Sequence, residues 1–225
     1  MSNIIFFHGD KGGVGKSFAA NLFIDFQVNL KQTKPIVIDA DSRNPDVARV
    51  WHKLADVIPV NLHRHEGWMD LMDIMADNPK LDLIVSLPAG VGGVIRREAA
   101  TFKEALRTLK RQFILYWVMN RLKDSIILLK EAQQDLGDIT YKKAIIKNGF
   151  YGDEDKFYRW ENSQTRQEFL NTGGTEIFLP ELHERVTDKI HNLPFSHAIS
   201  NSDLKFSEKN ELQRWLAHAH KIINI

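Results

Sequence analysis

Gly9-Asp10-Lys11-Gly12-Gly13-Val14-Gly15-Lys16-Ser17 stands between the apolar run Ile4-Ile5-Phe6-Phe7 and the helix-forming stretch Phe18-Ala19-Ala20-Asn21-Leu22-Phe23-Ile24. That order reads as strand, glycine-rich loop, helix. Such a loop turns successive backbone N–H groups and a helix N-terminus toward one anion, the β-phosphate of a nucleotide. Glycines are required because the backbone must approach phosphate with dihedrals that a Cβ would forbid. Lys16 then reaches the β- and γ-phosphates, and the Ser17 hydroxyl ligates Mg²⁺.

Around this stretch, apolar β-rich runs alternate with helical patterns along the whole chain, which predicts a parallel sheet with crossover helices. Strands are expected at 4–8, 35–39, 82–87, 113–118, 143–147 and 176–179. Helices are expected at 16–30, 45–54, 67–76, 95–111, 124–135, 156–171, 181–192 and 207–222. No linker-like or repetitive tract interrupts the series, so residues 1–225 read as a single domain. Phosphate would bind outside the carboxyl ends of the strands.

An ordinary P-loop has its first glycine where this chain has Asp10, and Lys11 follows at once. The pattern Lys-Gly-Gly-x-Gly-Lys-Ser resembles the deviant Walker A motif of the ParA/MinD family of ATPases. The resemblance implies a three-layer α/β fold of the P-loop NTPase, SIMIBI class, with a mostly parallel sheet and helices on both faces. It also implies ATP and Mg²⁺ as ligands, held by Gly12, Gly13, Val14, Gly15, Lys16, Ser17 and Phe18. Lys11 would act across a nucleotide-sandwich homodimer on the phosphates of the other subunit, in a role like that of an arginine finger. Asp10 either orients Lys11 through an ion pair or points to solvent.

Ile36-Val-Ile-Asp39-Ala-Asp41-Ser-Arg-Asn-Pro45 ends an apolar run in two carboxylates and resembles the family's switch I element. By that match Asp39 binds Mg²⁺ through water and Asp41 positions the attacking water. The same residues are also good turn chemistry. Leu81-Asp-Leu-Ile-Val-Ser86-Leu-Pro-Ala-Gly90 resembles the Walker B and switch II segment, with Ser86 where that pattern has aspartate. Serine brings no negative charge, so slow or conditional hydrolysis is expected. Asp82 lies too far along the strand to substitute, at about 3.3 Å per residue. Gly90, Gly92 and Gly93 are candidate N–H donors to a γ-phosphate. Asn148, whose amide both donates and accepts, and Pro180 match positions that line the base; Asn-Gly is equally a turn signal.

A net charge of +1, 43% hydrophobic and 26% charged residues suit a soluble globular chain. The absence of cysteine excludes disulfides, thiolate metal sites and a cysteine nucleophile. With no apolar span and no signal-peptide pattern, a cytoplasmic location is expected, with nucleoid association as a further expectation. Arg96, Arg97, Lys103, Arg107, Lys110, Arg111, Arg121, Lys123, Lys130, Lys142, Lys143 and Lys147 make the middle basic, a candidate for non-specific DNA contact. Leu212, Trp215, Leu216, Ala219 and Ile222 recur at helical spacing, read as a last helix packed on the core rather than on a membrane.

The reading is therefore an ATP-dependent dimerising switch for plasmid or DNA partitioning, positioning or conjugative transfer, most like plasmid-borne members of the TraL/StbB kind. Its protein partner would be a centromere-binding or transfer-complex protein. Alternatives are a MinD-like membrane-cycling regulator, a small-molecule enzyme on the same fold, and a nucleotide-binding module that barely hydrolyses.

Overall fold

The computed structural model describes residues 2–224. Strand β1 (Asn3–His8) leads into α1 (Lys16–Asp25), whose last turn widens to a π-helical segment, Phe26–Leu30. Then follow β2 (Ile36–Asp39), α2 (Asp46–Trp51), β3 (Asp56–Pro59), α3 (His65–Asp77), β4 (Leu83–Ser86) and α4 (Gly92–Thr108). The second half runs β5 (Gln112–Met119), α5 (Lys123–Leu136), β6 (Thr140–Asn148), α6 (Tyr158–Glu161), α7 (Gln164–Asn171) and β7 (Thr175–Leu179). Three helices close the chain: α8 (Glu184–Ile190), α9 (Phe195–Ala198) and α10 (Phe206–Ile223).

The seven strands form one sheet in the order β3-β2-β4-β1-β5-β6-β7, and every pairing is parallel. Near-continuous apolar strands are what a sheet covered on both faces demands. In β1, Ile5 and Phe7 join the layer formed with α1, α2 and α8–α10, while Ile4 and Phe6 join the opposite layer under α3 and α4. Aromatic rings fill both layers: Phe7 stacks on Tyr116 at 4.8 Å, and Phe6 meets Phe113 edge-on at 5.0 Å. A third cluster, with Trp117, Leu129, Trp160 and Phe169, packs beneath α5–α7.

Besides the short helix α9, which the sequence reading did not anticipate, three elements differ from the sequence expectations. Strand β3 was not anticipated, because Asp56-Val-Ile-Pro59 is short and ends in proline; it lies at the sheet edge, where proline is tolerated. The helix expected over 156–171 breaks at Asn162-Ser163, where the Ser163 hydroxyl accepts from Arg166 N at 3.0 Å and starts α7 afresh. The helix expected from Glu181 begins only at Glu184, leaving 180–183 extended.

The apolar stripe of α10 faces the core: Leu212, Ala219 and Ile223 are fully buried, with Trp215 and Leu216 nearly so. Among the described residues no helix is long and apolar enough to cross a membrane. A buried polar cluster ties α10 to α1. Asp25 accepts from the Ser196 hydroxyl at 2.6 Å, Ser196 N at 3.0 Å and Asn29 Nδ2 at 2.9 Å, and its Oδ2 lies 3.2 Å from His220 Nε2. Burial raises the Asp25 pKa, but the hydrogen bonds from His220, Ser196 and Asn29 outweigh it and hold the carboxyl below its usual range.

Asp25→Ala is expected to cost about 3 kcal/mol, since several buried donors lose their acceptor. A depressed carboxyl stabilises above its unfolded pKa and stops doing so as pH falls through its folded value. The difference between wild type and variant in urea titrations should thus shrink at strongly acid pH. An equal difference at neutral and strongly acid pH would contradict the assignment.

Candidate functional site

The loop after β1 gets its shape from two left-handed glycines, Gly13 (φ 76°) and Gly15 (φ 98°). A Cβ on Gly15 would lie 2.3 Å from Asn148 Nδ2, so alanine is excluded there on space as well as on φ. The loop's carbonyls are pinned from three directions. Asn148 Nδ2 donates to Val14 O at 2.9 Å, the Tyr151 hydroxyl donates to Gly13 O, and Lys16 Nζ donates to Lys11 O at 2.8 Å. With these carbonyls engaged, the glycine loop is held in its turn ahead of the N-terminus of α1.

Lys16 is nearly buried, and desolvation pulls its pKa below the usual lysine value, opposed by the charges of Asp10 and Asp41. His8, at the end of β1, is wholly buried edge-on against Trp117, 4.7 Å between ring centres. Burial first, and then the charge of Lys16, push its pKa down to about 3. It is therefore neutral, with Nδ1 turned toward Asp10 N at 3.4 Å.

The two switch I carboxylates adopt different roles. Asp39 accepts from Asp41 N at 3.2 Å and Ala48 N at 2.8 Å, which ties the end of β2 to α2. Burial raises its pKa against those hydrogen bonds. Asp41 accepts from Arg43 N at 3.1 Å and Asn44 N at 3.0 Å, the Asx turn that the sequence also allowed. Ser86 is buried at the end of β4, in register with Phe7 on one side and Asp39 on the other. Asp82 sits at the far end, accepting from Asn3 N at 2.7 Å, so it does not substitute for an acid at 86.

Asp10 takes neither of the courses expected for it. Its Oδ1 accepts from Gly92 N at 2.9 Å, and its carbonyl accepts from Gly90 N at 3.1 Å. Lys11 turns elsewhere, to Asp124 at the start of α5, with Nζ–Oδ2 2.9 Å.

In front of the loop opens a cavity of about 430 Å³. Gly13, Gly15, Ser17, Asn148, Phe150 and Pro180 line it, and Phe18, Val50, Leu182 and Phe195 supply apolar wall. The structure thus brings Ser17, Phe18, Asn148 and Pro180 together, as the sequence anticipated. The amide of Asn148 is already engaged at both ends, since its Oδ1 accepts from Phe150 N at 3.1 Å. Tyr151, Asp124 and the wall from 182 to 195 carried no signal in the sequence, because only the fold brings them to the loop. No group of three or more His, Cys, Asp or Glu side chains able to hold a metal occurs among the described residues.

Much of the basic run is spent within the fold. Arg96 bridges Glu131 and Asp135 at 3.2 Å each, and Lys103 meets Asp138 at 2.7 Å. Lys147 is buried between Glu154 and Glu161. Arg111 donates to the carbonyls of Met75, Asn78 and Leu81 at 2.9, 3.0 and 2.6 Å.

No family model matches the chain. Protein MobD of Acidithiobacillus ferrooxidans is 28% identical over 215 residues, which span 96% of this chain and 93% of that protein. A structure from Borrelia burgdorferi B31 described as a plasmid partition protein bound to AMPPNP superposes with a TM-score of 0.52 at 18% identity, over 97% of each chain. A nucleotide-binding protein from Archaeoglobus fulgidus in complex with ADP gives 0.48 at 13% identity, over 99% of this chain and 88% of that one. The Aquifex aeolicus MinC:MinD complex gives 0.46 at 15%, over 96% of each chain. The chain has a three-layer α/β fold with an all-parallel sheet, shared with the plasmid partition protein from Borrelia burgdorferi.

His8 yields a pH prediction at this site. The unfolded chain takes up a proton at this residue near pH 6.5, which the folded chain refuses until about pH 3. Stability should therefore fall as pH drops below 6.5. His8→Phe is expected to flatten that acid slope in denaturant titrations; an unchanged slope would show that His8 titrates freely.

Proposed function

We propose that this chain is an ATP-dependent, dimerising switch ATPase of the ParA/MinD type, acting in the positioning, partitioning or conjugative transfer of plasmid DNA. The observation that carries this reading is the glycine loop, whose Gly13, Gly15 and Ser17 line the cavity while the adjacent Lys16 is nearly buried with its ammonium hydrogen-bonded to the Lys11 carbonyl. A buried ammonium with one neutral acceptor is poised to exchange it for phosphate oxygens. The nucleotide bound by the plasmid partition protein of similar fold supports ATP as the ligand.

In this reading the backbone of Gly12, Gly13, Val14, Gly15, Lys16, Ser17 and Phe18 cradles the phosphates. The base end is formed by Asn148 and Pro180, with Phe150 beside them. Mg²⁺ would be held by Ser17 and by phosphate oxygens, with Asp39 acting through water. Each Asp39 oxygen accepts one backbone N–H and keeps lone pairs for such a water. The metal would supply charge neutralisation on the phosphates. Asp41 lies within electrostatic reach of Lys16 and would orient the attacking water once its Asx turn loosens.

Lys11 has to leave Asp124 before it can serve a second subunit. Both side chains of that bridge are substantially exposed, so water compensates for its loss and the move is easy. Ser86 favours slow hydrolysis that a protein partner stimulates, and it keeps a nearly non-hydrolysing binding module as the second reading. DNA contact rests on the basic side chains outside ion pairs, fewer than the sequence run suggests, which makes a dimer's doubled contacts important.

Lys16→Ala should abolish ATP binding in calorimetry, because the phosphate charge loses its buried cationic partner. Wild-type affinity in that variant would defeat the proposal. Asp41→Ala should still bind ATP and accumulate as a dimer in light scattering, whereas Lys11→Ala should bind as a monomer. A turning-over Asp41→Ala protein would remove Asp41 from its role.

The ATP-bound dimer, and not the apo protein, should retain unrelated duplexes in a mobility assay, weakening steeply from about 50 to 200 mM salt. Absence of retention at low salt with ATP would redirect the reading to a switch that binds protein alone.

A further inference from the structure

Resting on the nucleotide reading above, we infer that Asp10 is a built-in stand-in for the terminal phosphate of a nucleoside triphosphate. It is a positioning residue that holds the segment 90–92 until that phosphate displaces it. Three observations converge on the residue. Its carboxylate and its carbonyl take the N–H groups of Gly92 and Gly90, at 2.9 and 3.1 Å. Gly92 opens α4, a helix of 17 residues whose first N–H groups have no partner within the helix. The positive end of the helix dipole favours an anion there. The same carboxylate also acts electrostatically on Lys16, the cation that faces the phosphates. Asp10 thus spans a loop lysine and a facing helix N-terminus, two positive ends that an incoming phosphate would also seek.

The backbone shows that this arrangement is held under constraint. Asp10 has φ 36°, a left-handed conformation that few residues other than glycine adopt. Its contact with α4 also requires glycine at 92, where a Cβ would lie 2.7 Å from Asp10 Oδ2. A third phosphate beside Lys16 brings negative charge toward the Asp10 carboxylate and takes over the lysine that attracts it. A diphosphate lacks that phosphate. The terminal phosphate therefore drives Asp10 off Gly92 and frees the start of α4, whereas a diphosphate leaves the contact closed. Asp10 is in this way a cost on triphosphate binding that is converted into movement of the segment 87–92.

The experiment compares AMPPNP and ADP on the full chain by calorimetry, with amide exchange read at Gly92. Wild type should show that amide protected when free and with ADP, and exposed with AMPPNP. Asp10→Asn keeps an acceptor for Gly92 N but loses the charge, so its preference for AMPPNP over ADP should rise about fivefold or more, within ordinary coupling strengths. Asp10→Gly suits the positive φ and should fold; it should leave the Gly92 amide exposed without nucleotide. Gly92→Ala, which pushes the carboxylate away, should resemble it.

An unchanged AMPPNP-to-ADP ratio in Asp10→Asn, with both nucleotides bound, overturns the inference and leaves the nucleotide reading intact. Protection of the Gly92 amide in Asp10→Gly equal to wild type does the same. Failure of wild type to bind either nucleotide overturns both.

Discussion

Keeping the Lys16 ammonium charged while it is nearly buried is the demand around which this end of the sheet is organised. Burial alone lowers its pKa, and the compensation comes from two carboxylates that flank the loop, Asp10 and Asp41, and from the Lys11 carbonyl at 2.8 Å. Each compensating group has a further attachment: Asp10 to the start of α4, Asp41 to the turn before α2. The groups that hold the cation are thus parts of two further segments of the chain, and its environment cannot change without affecting both.

What could be read from the sequence was whatever depends on neighbours along the chain. The apolar run Ile4-Ile5-Phe6-Phe7, the glycines of 9–15 and the aspartates after Ile38 are local signals, and β1, the loop and β2 stand where those signals place them. The C-terminal amphipathic stripe was legible for the same reason. Features set by distant partners were not. Strand β3 exists because it pairs with Ile36–Asp39, which outweighs its poor propensity. The fate of Asp10 depended on Gly92, 82 residues away, and that of Lys11 on Asp124, 113 residues away. The pairing within the basic run was illegible for a related reason: a list of charges does not say which carboxylates α5 brings opposite α4.

The chain's C-terminal third does more than cover one face of the sheet. Trp215 of α10 donates to the carbonyl of Pro180 at 2.8 Å, and its ring lies 5.6 Å from Phe18 and 5.4 Å from Phe195. Pro180, Phe18 and Phe195 all line the cavity. The apolar wall is thus held by the last helix, while Asp25 fixes that helix to α1 through Ser196 and His220. A stripe of this kind, taken alone, would suit membrane docking as well as core packing. Here the stripe is packed on the core. Extracting Leu212, Trp215, Leu216 and Ala219 would expose them and remove the support of Pro180, so release of α10 would also dismantle the cavity. A membrane-cycling role that used this helix would have to discharge the ligand on docking, opposite to a switch that docks while the ligand is held.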